Sequence, residues 1–318
     1  MTNPSSPIAD LSYRGYDGPL RVQSVRWWVI ALAGLKLAVA KKGFRTVAVV
    51  ACLPHLASAV MLYFSASAPS GLQAALFSGP ESSRYATLLF KALEGQLLWL
   101  FVIAMMAGPG SIAADTQANA LLVYLSKPLT KTDYLLGKWM SVFLAVYAVA
   151  AGPALALYLY CLFSYYDDGF LKNEPWLLVR MLVACAAPAS VHASLLVGVS
   201  AWSKSPRMAG AVYAGLVFVS FFIANVYADI RFRGQRDQGI VYRHLSVGGV
   251  IKGSAQNVYD ITLTELVGRR RRRELPNITQ VQLPPPNRRL LFGMWATLVV
   301  GGTLAARARI RAVEVVSG

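Results

Sequence analysis

The sequence predicts an all-α integral membrane protein, with six transmembrane helices preceded by an N-terminal interfacial amphipathic helix. Apolar residues make up 56% of the chain against 14% charged, and the mean hydropathy is +0.47. Apolar runs of about twenty residues recur, the length that carries a helix across roughly 30 Å of hydrocarbon. Basic residues gather in the N-terminal segment, in residues 111–138, in the 203–208 turn and in the C-terminal tail. Six spans with both ends cytosolic put all of these on one side. The net charge of +16 then fits anchoring at anionic lipid, and nucleic acid is not an expected partner.

Residues 1–23 are polar and read as a cytosolic segment without a cleavable signal peptide, since Pro, Ser, Asp and Arg precede the first Trp pair. Residues 24–43 form the interfacial helix. Val25, Trp28, Val29, Leu32, Leu35 and Val39 share a face, bracketed by Arg26, Lys36, Lys41 and Lys42, with tryptophan at headgroup depth. A first span is the alternative, and Lys36 near the centre argues against it.

The transmembrane domain covers 44–306. Its spans are expected at Phe44–Phe64 with a kink at Pro54, Leu93–Ile112, Leu136–Phe163 interrupted by Gly152-Pro153, Leu177–Trp202, Ala209–Asp229 and Leu290–Ala306. Lys91 and Glu94, one helical turn apart, are expected to pair or snorkel. His192 in the fourth span is a functional candidate by position, but its helix offers no acidic neighbour, so a hydrogen-bonded packing role is expected. Ala209, Gly210, Ala214 and Gly215 permit close helix packing. Cys52, Cys161 and Cys185 lie in apolar runs without paired spacing and read as small hydrophobes.

The loop 230–289 is expected outside the cytosol, with one or two short helices near the membrane surface. It carries Arg269, Arg270, Arg271, Arg272 and Arg273, a run that would contact anionic lipid headgroups or an anionic substrate, or else is a solvated charge run. Its outer placement opposes the positive-inside bias, which weakens for loops of about sixty residues. A basic cytosolic tail, 307–318, closes the chain.

The most informative stretch is Ala107–Lys138. Pro128 lacks a backbone N–H and biases Lys127 away from helical angles, so a helix through Leu121, Leu122 and Leu125 should stop there. Thr130 can cap the N–H of Asp133, whose carboxylate sits well at a helix N-terminus, while Leu129 and Tyr134 take the flanking staple positions. The pattern is a short helix, a rigid break and a capped start to the next span.

Here the chain resembles the permease subunits of ABC-2 type ABC transporters. Such subunits typically show an acidic residue after the second span, matched by Asp115, and then a segment close to the run Tyr124-Leu125-Ser126-Lys127-Pro128-Leu129-Thr130-Lys131-Thr132-Asp133-Tyr134-Leu135-Leu136-Gly137-Lys138. Lys127 and Lys131 stand where arginine is common, which keeps the charge but loses the fork of donors. The early Tyr13-Arg14 with Tyr16 and Gly18 is similar to the start of such subunits. The resemblance implies a half-transporter in the plasma (inner) membrane that pairs with an identical or related permease chain. It also implies two separate ATPase subunits that dock on residues 111–138. Asp115, Tyr124, Ser126, Lys127, Pro128, Leu129, Thr130, Lys131, Asp133 and Lys138 are then the ATPase-coupling residues.

No G-x-x-x-x-G-K-[ST] occurs, and neither does HExxH or GxSxG. The chain is therefore expected to be no enzyme and to bind no cofactor or metal, with ATP and Mg on the partner ATPase. An exporter is the leading function. The alternatives are a mechanotransmission subunit that drives an extracytoplasmic partner through 230–289, and a non-transporting membrane anchor or enzyme. Few charges lie in the spans, which fits a hydrophobic or amphipathic cargo.

Overall fold

The structure, a computed structural model, describes residues 25–66, 84–120, 130–167, 170–231, 242–262, 264–266, 280–282 and 286–310. Among these, six helical stretches are long and apolar enough to cross a membrane: Lys42–Phe64, Arg84–Gln117, Lys131–Ser164, Leu177–Trp202, Pro206–Arg231 and Arg288–Arg309. The chain is a multi-pass membrane protein built of helices. A short antiparallel pair, β1 (Thr264–Leu266) with β2 (Gln280–Gln282), is its one departure from helix among the described residues.

Helix α1 (Arg26–Ala40) precedes the spans and packs chiefly on α6 (Lys131–Ser164). The contact is close because it is made by small residues. Ala31 is fully buried, and a Cβ on Gly137 would lie 2.8 Å from the Trp27 carbonyl oxygen. Of the face expected to meet lipid, Val25, Trp28, Val29 and Val39 are exposed, whereas Leu32 is half-buried and Leu35 packs against the core. The first span is α2 (Lys42–Val50) and α3 (Leu53–Ala66), broken at Ala51–Cys52 where Pro54 follows.

The second span differs from the sequence reading. Helix α4 (Arg84–Ala107) begins at Arg84 instead of Leu93. Its start is capped from a distant turn: the Glu174 carboxylate accepts the Ala86 N–H at 3.2 Å. After a break at Gly108-Pro109 the chain continues as α5 (Gly110–Gln117). Helix α6 also departs from expectation, running through Gly152-Pro153 without interruption. Pro153 cannot donate to the Val149 carbonyl one turn back. The side chain of Gln96 on α4, wholly buried, donates to that carbonyl instead at 2.8 Å.

After the short α7 (Phe170–Asn173), α8 (Leu177–Trp202) forms the axis of the bundle. Its apolar stretch is 78% buried against 44% for the next most enclosed span. Helices α4, α6, α9 (Pro206–Arg231) and α11 (Arg288–Arg309) surround it. On the α11 side the backbones touch: a Cβ on Gly302 would sit 2.6 Å from the Ser194 carbonyl oxygen, and one on Gly198 2.7 Å from that of Gly302. Small residues allow such approach, and dispersion over the contact replaces the hydrophobic drive that lipid cannot supply.

Within the long loop, α10 (Val247–Tyr259) is capped by the Ser246 hydroxyl, which accepts the Gly249 N–H at 3.0 Å. It is not a detached surface helix. Val250, Ile251, Ala255 and Tyr259 are buried against the bundle. Ion pairs fasten this end: Lys252 with Glu94, Arg288 with Asp260, and Arg243 with Asp229 at 2.6 Å. The arginine run 269–273 falls outside the described residues.

Two outcomes test this packing. Gly302→Val should destabilise the purified protein by about 1–3 kcal/mol through overpacking, while Gly301→Ala, with nothing within 4 Å of its Cβ, should be neutral or stabilising in detergent melts. Burial lifts the Glu174 carboxyl above its ordinary 4.5, against the pull of the Ala86 and Tyr85 N–H groups and the Arg180 charge. A raised value means that folding favours the protonated form. That contribution is complete below pH 4.5 and is lost as pH rises through the raised value. Glu174→Gln stays neutral and keeps an acceptor for Ala86, so its melting temperature should fall less than wild type from about pH 4 to 7.

Candidate functional site

The site lies at the end of the bundle where α5 ends and α6 begins. Helix α6 starts as its sequence dictates. The Thr130 hydroxyl accepts the Asp133 N–H at 3.0 Å, and the Asp133 carboxylate accepts from the Thr130 N–H at 3.3 Å and its hydroxyl at 2.7 Å. This reciprocal cap satisfies two otherwise orphaned donors and orients the first turn. Lys131, next to it, is exposed.

Two turns of α6 then reach back to α5. Asp115 accepts a hydrogen bond from the Tyr134 hydroxyl at 2.6 Å and pairs with Lys138 at 2.6 Å, both through Oδ2. Tyr134 and Lys138 stand four apart on α6 and share a face. The Lys138 ammonium also lies 5.5 Å from the Tyr134 ring centre. The Lys138 and Asp115 side chains are each 16% exposed, so the pair is largely shielded from solvent screening. One carboxylate thus staples the helices that flank residues 121–129.

Of the sequence-predicted coupling residues, the structure brings together Asp115 and Lys138, and separately Thr130 and Asp133. It leaves Lys131 free of both clusters. Tyr124, Ser126, Lys127, Pro128 and Leu129 lie outside the described residues, as do Arg269–Arg273. Tyr134 entered the sequence reading as an apolar staple; its hydroxyl bond to Asp115 depends on a fold that brings α5 beside α6. Two further contacts at this end have no sequence signal. Lys41 Nζ donates to the Met106 carbonyl at 2.9 Å, and Ser200 Oγ accepts the Ile112 N–H at 3.0 Å.

The other candidates resolve as structural. His192 Nδ1 contacts the Tyr213 hydroxyl, both side chains are buried, and Phe101 stacks on Tyr213 with ring centres 5.8 Å apart. The pairing is the hydrogen-bonded packing role expected for this histidine. Lys91 and Glu94 pair at 3.2 Å, and Lys252 joins them from α10. Among the described residues no group of three or more His, Cys, Asp or Glu converges on a metal position.

A six-span helical bundle whose α5 and α6 are stapled at one end defines the class as a multi-pass membrane protein. A family model described as "ABC-2 family transporter protein" matches residues 28–233, well over half of the 318-residue chain. The chain belongs to the ABC-2 transporter family, as a membrane-spanning permease subunit. A search of curated proteins finds no match to it.

The staple has a measurable strength. Asp115→Ala removes the carboxylate that Lys138 and Tyr134 share and should cost about 1–3 kcal/mol in detergent melts. The Asp115→Ala/Lys138→Met double variant should lose less than the sum of the single losses by at least about 0.5 kcal/mol. Additive losses would mean that the two side chains do not act as a pair.

Proposed function

We propose that this chain is the membrane-spanning half of an exporter in the plasma membrane, powered by separate ATPase subunits that dock on residues 111–138. It works as a dimer with an identical or related permease chain. Both termini are cytosolic, α1 lies at the cytosolic interface, and α10 with the 230–289 loop lies outside. ATP and Mg2+ belong to the ATPase. Anionic lipid headgroups are the natural contacts of Arg269–Arg273.

The observation that carries this reading is the Asp115 staple with Tyr134 and Lys138. A segment that receives force must pass it on without flexing. The carboxylate ties α5 to α6, so displacement of residues 121–129 moves both flanking spans together. Closure of two ATPases on ATP then favours one arrangement of the spans over another, because the docked segment makes different contacts in each. Spans poor in charge fit a hydrophobic or amphipathic cargo.

The test starts from native membranes in mild detergent, with co-purifying chains identified by mass spectrometry. A stoichiometric ATPase should come down with wild type and be lost from Leu129→Asp, while Pro128→Ala keeps the ATPase but no longer couples its hydrolysis to transport. If no ATPase co-purifies in any nucleotide state, or if both variants transport like wild type, the assignment of residues 111–138 falls.

A further inference from the structure

The break between α4 and α5 has a seat of its own in the bundle. A helix leaves its first N–H groups without internal acceptors, and an apolar surrounding offers no water to replace them. The residue at the N-cap of α5 is Pro109, whose side chain makes no cap. Ser200 on α8 does this work from across the bundle. Its side chain is wholly buried, and its Oγ accepts the Ile112 N–H at 3.0 Å and the Ala113 N–H at 2.9 Å while donating to the Pro109 carbonyl at 2.8 Å.

The surrounding fit is tight in the same place. A Cβ on Gly108 would lie 2.9 Å from the Leu196 Cβ, one turn before Ser200 on α8. A Cβ on Gly210 of α9 would lie 3.3 Å from Met105 Cε and 3.6 Å from Pro109 Cγ. The break is therefore held between the end of α8 and the start of α9. It needs holding: Pro109 removes the N–H that would bond one turn back, so the α4–α5 backbone is a hinge by construction.

We propose that Ser200 is a positioning residue that pins this hinge to α8, so that α5, the α8 end and the α8–α9 turn move as one body. Displacement received at residues 111–138 then passes through the Ser200 hydroxyl into α8 and α9, and is not absorbed by bending at Gly108-Pro109. The first span packs on α4 and α6 and makes no comparable contact with α5, α8 or α9, so a distance from α5 to it reads movement outside this body. The inference rests on the coupling reading of residues 111–138.

Pairs of spin labels on the full-length protein, reconstituted with the ATPase that co-purifies with it, test the pin. The background is Cys52→Ser, because Cys52 is exposed while Cys161 and Cys185 are buried. Labels at the exposed positions Gln117 and Met208 report within the proposed body, and labels at Gln117 and Thr46 report against the first span. With nucleotide trapped, the Gln117–Met208 distance should stay as in the nucleotide-free state, while the Gln117–Thr46 distance shifts. In Ser200→Ala the Gln117–Met208 distribution should broaden and follow the nucleotide, with ATPase binding unchanged. Leu196→Ala, which opens a cavity beside the same seat, should lower the melting temperature and leave both distances as in wild type. A wild-type Gln117–Met208 distance that moves with nucleotide overturns the pin, and so does a Ser200→Ala protein whose distances match wild type. Failure of the unlabelled protein to bind the ATPase, or a Gln117–Thr46 distance indifferent to nucleotide, overturns the coupling reading and the pin with it.

Discussion

A backbone carbonyl or N–H inside hydrocarbon has no water to turn to, and this chain places Pro54, Pro109, Pro153 and Pro188 in its spans. Each proline removes a donor and frees a carbonyl. Much of the architecture consists of the answers to that problem. The Gln96 amide serves the Val149 carbonyl that Pro153 leaves open, and α6 runs as one helix from the Asp115 staple to Ser164. At Pro109 the chain does break, and the Ser200 hydroxyl serves the helix that restarts beyond it. Pro153 is bridged and Pro109 kept as a bend, and in each case a polar side chain on a neighbouring helix serves backbone groups left open there.

These contacts explain why a bundle of mostly small and aliphatic residues has defined joints. Around α8 the packing is close and uniform, with glycine against glycine on the α11 side. Polar side chains mark the joints: Trp139 Nε1 on Ser194 at 2.7 Å, Trp295 Nε1 on Ser190 at 3.1 Å, and Ser200 on α5. In an apolar medium such bonds contribute modest energy but specify geometry, because the alternative is an unpaired buried dipole. The two ends of the bundle are dressed differently. The α5–α6 end has a shielded carboxylate staple, whereas the opposite end relies on Lys–Glu and Arg–Asp pairs that tie α10 to the spans.

The family match runs from residue 28 to 233 and so takes in α5, the hairpin and α8. Helices α10 and α11 lie beyond it, yet α11 makes one of the closest contacts with α8 and α10 is salt-bridged to α4. The C-terminal part of the chain is thus packed into the bundle and not appended to it.

Sequence alone determined the class of the protein, five of the six spans to within a turn or so at either end, and the Thr130 cap. Each of these rests on residues near one another in the chain: an apolar run long enough for a bilayer, or a hydroxyl three residues before an acid. Tertiary structure alone decided that α4 starts at Arg84, that Pro153 does not break α6, that α10 is built into the bundle, and that Asp115 meets Tyr134 and Lys138. The partners responsible are Glu174, Gln96, Lys252 and a neighbouring helix face, all distant in sequence. A local pattern shows where a hydrogen-bonding group is missing a partner, and only the packed chain shows which distant side chain supplies it.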